Sequence, residues 1–360
     1  MELLNAAAIL ITLAAIFGFI NIRFIHLPTT IGIMMIAMAV SLLLIIAGKL
    51  GFADISSQAS RLLKSIDFHE TLMQGMLSFL LFAGALHVNI NDLAKQKWLI
   101  LILATVGVVS STFIIGSLTW VVLNALGLGI PFIYALLFGA LISPTDPIAV
   151  MSILKKAGVS KSLETKISGE SLFNDGVGVV VFLVLLGIAT SGQTPTVSTI
   201  GMLFAQEAVG GLLFGLLIGG TAFWMLGHVN NYQVEVLITL AVVMGGYALA
   251  TKLHLSGPIT MVVAGLLIGN HGRMFAMSVS TREHLDAFWE LLDEIFNAVL
   301  FVLMGLEILI LTLKEEYLLA ALVIIPLVLL SRFVSVGLPI TIMRKFREFS
   351  PGVIEIMTWG

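Results

Sequence analysis

The residues best placed to do chemistry lie in SGESLFNDGVGVVVF (168–182). Glu170 and Asp175 stand there five residues apart, at the head of an apolar run that continues to about Ile188. On a helix, residues four apart share a face. Ser171 therefore aligns with Asp175, and Glu170 with Asn174. A helix starting near 163, rising 1.5 Å per residue, carries Asp175 to a depth of roughly 18 Å, close to the middle of a bilayer. Glu170 lies about a turn and a half nearer the cytoplasm. A lone charge at such depth costs at least ~3 kcal/mol. Each acid therefore needs a partner, a proton or a bound cation.

The second chemical locus is ALISPTDPIAV (140–150), where Pro144 and Pro147 bracket Thr145 and Asp146. Each proline removes a backbone donor and clashes with the carbonyl four residues back. The helix is expected to open here and to leave carbonyls near 140–145 without helical partners. At membrane depth such backbone is tolerated only when buried in protein or lining a cavity. A plain kink, or a loop between two short helices, accounts for the same residues. Asp146 reads equally as an acid in a cytoplasmic funnel and as a buried structural acid.

Arg332, in SRFVSV, is the one cation expected inside a span, and a structural salt bridge to Glu170 is its natural use. One arginine cannot neutralise two separated carboxylates. Asp175 then has the neutral oxygens of Ser171 and Asn174 for neighbours, a set that suits a hard monovalent cation. It carries too few charges for a tight calcium cage. A carboxylate that holds either a proton or a metal ion, and not both, is the minimal physics of electroneutral cation/proton exchange.

The elements that must position these groups are membrane helices. Hydrophobic residues make up 59 % of the 360-residue chain and charged residues 11 %, about half the charge fraction of a soluble domain. Mean hydropathy is +1.09. Spans of roughly 20 apolar residues are expected at 3–22, 28–48, 68–88, 97–126, 130–152, 163–190, 200–227, 232–252, 256–271, 284–312 and 316–343. A twelfth begins at Pro351. Pro28 and Pro131 open two of these helices and Pro258 falls in the first turn of a third. Residues 49–67 are amphipathic and expected at the interface. Cysteine is absent, which excludes disulfides, thiolate metal sites and thiol nucleophiles. The net charge of −3 gives no sign of a nucleic-acid partner. The first apolar run has no basic region before it and reads as a retained helix. With the N-terminus outside, the inner loops hold Arg23, Lys95, Lys155, Lys166, Arg273 and Arg344 among others, and the outer loops hold far fewer basic residues.

At this point the chain resembles a known family. ISPTDPIAV followed by GESLFNDG, HLDAFWELLDEIFNAVLFVLMGLE (284–307) and the arginine of SRFVSV are similar to the cation:proton antiporter 1 family, the NhaP-type sodium/proton antiporters. The resemblance covers nearly the whole chain. It implies that Asp175 binds the ion, that Ser171 and the Thr145 region are ligands for Na⁺, and that Glu170 assists through water or the buried arginine. It implies that the Asn174–Asp175 pair marks electroneutral exchange. It also implies an inverted-repeat fold of thirteen helices with a discontinuous helix, a homodimer, elevator-like alternating access and a bacterial inner membrane. No cofactor is implied; the partners are lipid, a second copy of the chain and monovalent cations (Na⁺, Li⁺ or K⁺). On this reading 1–96 is dimer or scaffold domain, 97–190 the ion-binding core, 191–312 linker and scaffold, and 313–360 a second, incomplete core segment. Family members continue beyond Trp359-Gly360 into two more helices. The chain as written is therefore expected to be a fragment or a truncation, and a transport-inactive assembly or regulatory subunit is the alternative function. Ala83 stands where many relatives carry an acid.

Other features have plainer readings. Gly211, Gly215 and Gly219 repeat every four residues, which lets helices approach closely. Glu290, Asp293, Glu294 and Asn297 read as a solvated or capping cluster at a helix start, or as an ion funnel. His228, His254 and His271 are expected near span ends, where pH sensing is open to them. A hydrolase built on Ser171 would need a base within reach, and no histidine falls on its helix.

Overall fold

The computed structural model describes residues 2–50, 76–145, 161–191, 197–273, 277–311, 314–345, 349 and 352–359. Its elements are helical throughout. In chain order they are α1 (Glu2–Ile20), α2 (Thr29–Lys49), α3 (Leu77–His87), α4 (Ile90–Ile102) and α5 (Val108–Ala125). They continue with α6 (Phe132–Ile142), α7 (Lys161–Ser191), α8 (Val197–Leu226), α9 (Tyr232–Lys252) and α10 (Gly257–Leu267). The last three are α11 (Val279–Glu307), α12 (Glu315–Met343) and α13 (Val353–Trp359). Single π turns follow α1 (Asn21–Ile25), join α4 to α5 (Leu103–Gly107) and follow α10 (Ile268–Gly272).

Seven of these helical stretches are long and apolar enough to cross a membrane: Asn5–Ile25, Thr29–Lys49, Ile90–Ala125, Lys161–Thr190, Phe204–Leu226, Tyr232–Lys252 and Glu315–Met343. The expected spans at 68–88, 130–152, 256–271 and 284–312 do not meet that measure among the described residues. The first two run into residues outside the description. α10 has 11 residues before its π turn. α11 carries Asp286, Glu290, Asp293 and Glu294 in its first half. The amphipathic stretch, apart from Lys49 and Leu50, also lies outside the described residues.

Local chemistry explains the boundaries. Pro28 and Pro131 each stand one residue before a helix, and Ser256 caps α10 through Oγ to the Ile259 amide, with Pro258 in its first turn. Asn89 caps α4 by accepting from the Asn91 and Asp92 amides, so that helix begins at 90 and not at 97. Ser278 accepts from the Thr281 amide and starts α11 eleven residues before Glu290. The acidic cluster therefore lies turns inside the helix and cannot cap it. Glu290 and Glu294 are exposed there, while Asn297 is buried with Oδ1 unbonded among the described residues.

The chain forms two compact units. One comprises Met1–Ala83 and Asp286–Leu313. Its core joins Leu10 and Phe17 of α1, Ile33 and Ala37 of α2, and Val302 and Leu306 of α11. Gly305 permits the close approach, since a Cβ there would lie 2.7 Å from the Met34 carbonyl oxygen. Ser41 ties the same helices by donating to Gly305 O at 3.0 Å. Trp289, fully buried, packs at a tilt against the Phe79 and Phe82 rings.

The other unit comprises Gly84–Leu285 and Lys314–Gly360 and holds every described candidate site residue. α8 packs tightly on α10 through the glycine stripe. A Cβ on Gly211 would come 2.8 Å from Ser256 O, and one on Gly215 2.8 Å from Thr260 O. α5 and α6 meet at Gly116 and Gly139, where a Cβ on the latter would sit 2.9 Å from the Gly116 amide. Asn270, in the π turn after α10, clamps the α3–α4 junction by donating to Val88 O and accepting from the Ile90 amide. α12 buries Ser331, Arg332, Ser335 and Val336 while Leu322, Ile325, Leu330 and Leu338 remain exposed. An apolar exterior of this kind belongs in lipid, and the protein is an integral membrane protein.

Candidate functional site

The site is assembled by three elements of the second unit: the end of α6, the first half of α7 and the middle of α12. α6 stops at Ile142, two residues before Pro144, as the double proline requires. Beyond that stop the chain presents Thr145, and Asp146 and Pro147 lie outside the described residues. Thr145 is the node of the cluster. Ser171 Oγ donates to its carbonyl oxygen at 2.7 Å. Its own Oγ1 accepts from Asn174 Nδ2 at 2.9 Å and from Arg332 Nη2 at 3.3 Å. The Thr145 carbonyl, just past the end of α6, thus has a side-chain donor from the neighbouring helix, as buried backbone demands.

α7 supplies Glu170, Ser171, Asn174 and Asp175 on consecutive turns. Asn174 is fully buried, and Glu170 and Ser171 are nearly so. Asp175 is half-buried and has polar or electrostatic contact of its own, which charge counting did not provide for. Arg332 Nη2 pairs with Glu170 Oε1 at 2.5 Å, with both side chains buried. A buried pair of this kind is costly to break from one side, by about 3–5 kcal/mol. The structure therefore brings together Thr145, Glu170, Ser171, Asn174 and Arg332, and it places Asp175 on the same helix one residue past Asn174.

Oxygen chemistry distinguishes the members. Thr145 Oγ1 already accepts from two donors, which occupies both of its lone pairs. Its carbonyl accepts one bond among the described residues. Ser171 Oγ, as a donor to that carbonyl, keeps its lone pairs. Asn174 Oδ1 is buried with no hydrogen bond among the described residues. The Thr145 carbonyl, Ser171 Oγ and Asn174 Oδ1 are thus the neutral oxygens of the cluster, and Asp175 follows Asn174 directly on α7. No group of three or more His, Cys, Asp or Glu residues able to hold a metal ion occurs among the described residues.

Two polar residues escaped the sequence reading. Lys166, expected in an inner loop, is on α7 and buried, with its ammonium 5.2 Å from the Phe349 ring centroid. Arg332 is therefore not the one buried cation. The basic run KKAGVSKSLETK masks Lys166, but its place one turn before Glu170 was a usable signal. Glu235, in the first turn of α9, is buried with Oε2 unbonded among the described residues. An acid inside an expected span was the signal there. His228, His254 and His271 are exposed.

Comparison with known proteins places this arrangement. The family described as sodium/hydrogen exchanger, transmembrane, matches residues 9–351. The Na⁺/H⁺ antiporter NhaP of Pseudomonas aeruginosa is 50 % identical over 99 % of this chain and 85 % of its own length. The Na⁺/H⁺ antiporter NhaH of Halobacillus dabanensis is 36 % identical over 67 % of this chain, which spans 59 % of that relative. Among solved structures, the sodium proton antiporter MjNhaP1 from Methanocaldococcus jannaschii at pH 8 superimposes with a TM-score of 0.73. It is 20 % identical, and the match covers 99 % of this chain and 82 % of that one, so it speaks for a shared fold. The match spans the helix end at Pro144, the Asn174–Asp175 step and Arg332 alike, and the chain belongs to the sodium/hydrogen exchanger family of transmembrane proteins.

Proposed function

We propose that the chain is a secondary active transporter that exchanges a monovalent cation, Na⁺ or else Li⁺ or K⁺, for H⁺. Asp175 is the exchanging group. In one state it holds a proton as the neutral acid. In the other it releases that proton and its carboxylate takes the cation, joined by Ser171 Oγ and the Thr145 carbonyl. Both loaded states carry the same charge, so the cycle is electroneutral. Glu170 and Arg332 neutralise each other and hold Thr145 in place. The observation that carries this reading is the convergence of Ser171, Asn174 and Arg332 on Thr145 at the proline break. It leaves neutral acceptors beside a single carboxylate. The names of the relatives, Na⁺/H⁺ antiporters in each case above, support the same assignment.

The finer architecture belongs to the same proposal. We read eleven complete spans and the start of a twelfth, in an inverted-repeat fold with a discontinuous helix at 144–147. Segments 1–96 and 191–312 serve as dimer or scaffold parts, and 97–190 and 313–360 as the moving core. The protein works as a homodimer in the inner membrane with its N-terminus outside. Asp146 and Pro147 support the break, as Pro144 does.

The test is reconstitution in proteoliposomes under a pH gradient, with a trapped pH dye. Adding Na⁺, Li⁺ or K⁺ is expected to collapse the gradient in the parent and not in Asp175→Asn. Exchange retained by the folded variant removes Asp175 from its role. A folded parent that responds to none of the three cations overturns the function.

A further inference from the structure

α5 and α12 pack against each other, and three of their buried polar atoms have no hydrogen-bond partner among the described residues: Ser111 Oγ, Ser331 Oγ and Arg332 Nε. Both serines are 1 % exposed. Two observations bring the three groups to one level. Leu99 and Leu103 share a core with Ile340 and Val336, and a Cβ on Gly107 would lie 3.9 Å from Ser335 O. As the numbering rises on one helix it falls on the other, so one further turn along each sets Ser111 opposite Ser331. Independently, Thr112 Oγ1 bonds Ser143 Oγ at 3.1 Å, just before Thr145, and Arg332 Nη2 reaches Thr145 at 3.3 Å.

Buried polar groups ordinarily have a partner. Where the protein offers none, a water with two or more polar neighbours is the usual one. Two hydroxyls and a guanidinium N–H give one water three partners.

We propose that Ser111 and Ser331 hold ordered water against Nε of Arg332, and that the two serines are positioning residues for the Glu170–Arg332 pair. The guanidinium plane is rigid. Nη2 is committed to Glu170 and Thr145, and the water holds the neighbouring Nε–H of the same edge. Held at two of its three nitrogens, Arg332 cannot swing away from Thr145 while Asp175 trades a proton for a cation. The Ser171 and Asn174 contacts to Thr145 then keep their shape through the cycle. This role rests on the exchange reading above, whereas the placement of water does not.

The test pairs a structural readout with a kinetic one. A high-resolution map of the full chain in lipid nanodiscs is expected to show water within hydrogen-bond reach of Arg332 Nε and at least one serine hydroxyl. The double variant Ser111→Ala/Ser331→Ala is expected to fold with a Tm near the parent's. It should displace the pH profile of exchange and lower kcat/KM for Na⁺ about tenfold, the fold-change that loss of a bond to a charged group produces. Ser331→Thr, which keeps the hydroxyl, should restore the parent profile when Ser111 is intact. A role in folding alone would reduce the yield of folded protein and leave the pH profile unmoved. A map in which both hydroxyls bond to protein and no water meets Nε overturns the proposal, as does a folded double variant with the parent's profile and KM. A parent that shows the water but exchanges no cation supports the placement and sinks the functional reading.

Discussion

Arg332 serves two groups through one nitrogen: Nη2 donates to Glu170 and to Thr145. Its loss would therefore be felt twice, as an unpaired buried acid and as a loosened proline break. Glu170→Gln removes the charge but keeps a carbonyl acceptor, and it leaves the guanidinium unneutralised in a buried setting. That variant should lose about 3–5 kcal/mol of stability, read as a lowered Tm in detergent. The double variant Glu170→Gln/Arg332→Gln should lose less than the sum of the two singles, because the groups are in contact. An additive result would mean that the pair is not coupled. The pairing itself was legible from charge counting, since a buried arginine and a buried acid must find compensation. The role of Thr145 as the node was not. Nothing in the spacing of Thr145, Ser171, Asn174 and Arg332 says that three residues from two helices meet on two oxygens of the fourth.

The glycine stripe of α8 belongs to the scale of helices. Gly215 faces Thr260 O and Val263, and a Cβ would meet each at 2.8 Å, whereas Gly220 on the same helix has open space around it. Gly215→Ala should destabilise by about 1–3 kcal/mol through overpacking. Gly220→Ala should be neutral or stabilising by up to about 1 kcal/mol through helix propensity. Thermal unfolding of the two variants side by side checks this, and equal behaviour would mean that α8 and α10 are not held by that stripe. The four-residue repeat made the close contact legible, because small residues at that spacing serve few other ends. The start of α11 was not legible in the same way. The acids at 290–294 read as a helix start, and Ser278 begins the helix earlier with a local side-chain bond.

The whole molecule sets which ends face which side. The chain has no cysteine, so single cysteines can report topology on an unmodified background. Leu50 and Lys345 are both exposed. With the N-terminus outside, Leu50→Cys should react with an impermeant maleimide in intact spheroplasts. Lys345→Cys should react only after permeabilisation. The reverse pattern would invert the orientation and put Glu170 on the outer side of Asp175.

What the sequence by itself determined was solvent and inventory. Its apolar length and low charge require a bilayer, and the double proline predicts an interruption, which α6 meets by stopping at Ile142. The few buried charges require partners, a proton or a cation. These follow from composition and from spacing along one helix, where the physics is local. The tertiary structure decided which oxygens meet. Thr145 was one polar residue among several until the α6 break, α7 and α12 brought Ser171, Asn174 and Arg332 to it. Lys166 was a loop residue until its side chain was seen buried against Phe349. Such contacts depend on helix rotation and register over long sequence separations. A shift of one residue in either changes them, and no local preference records it.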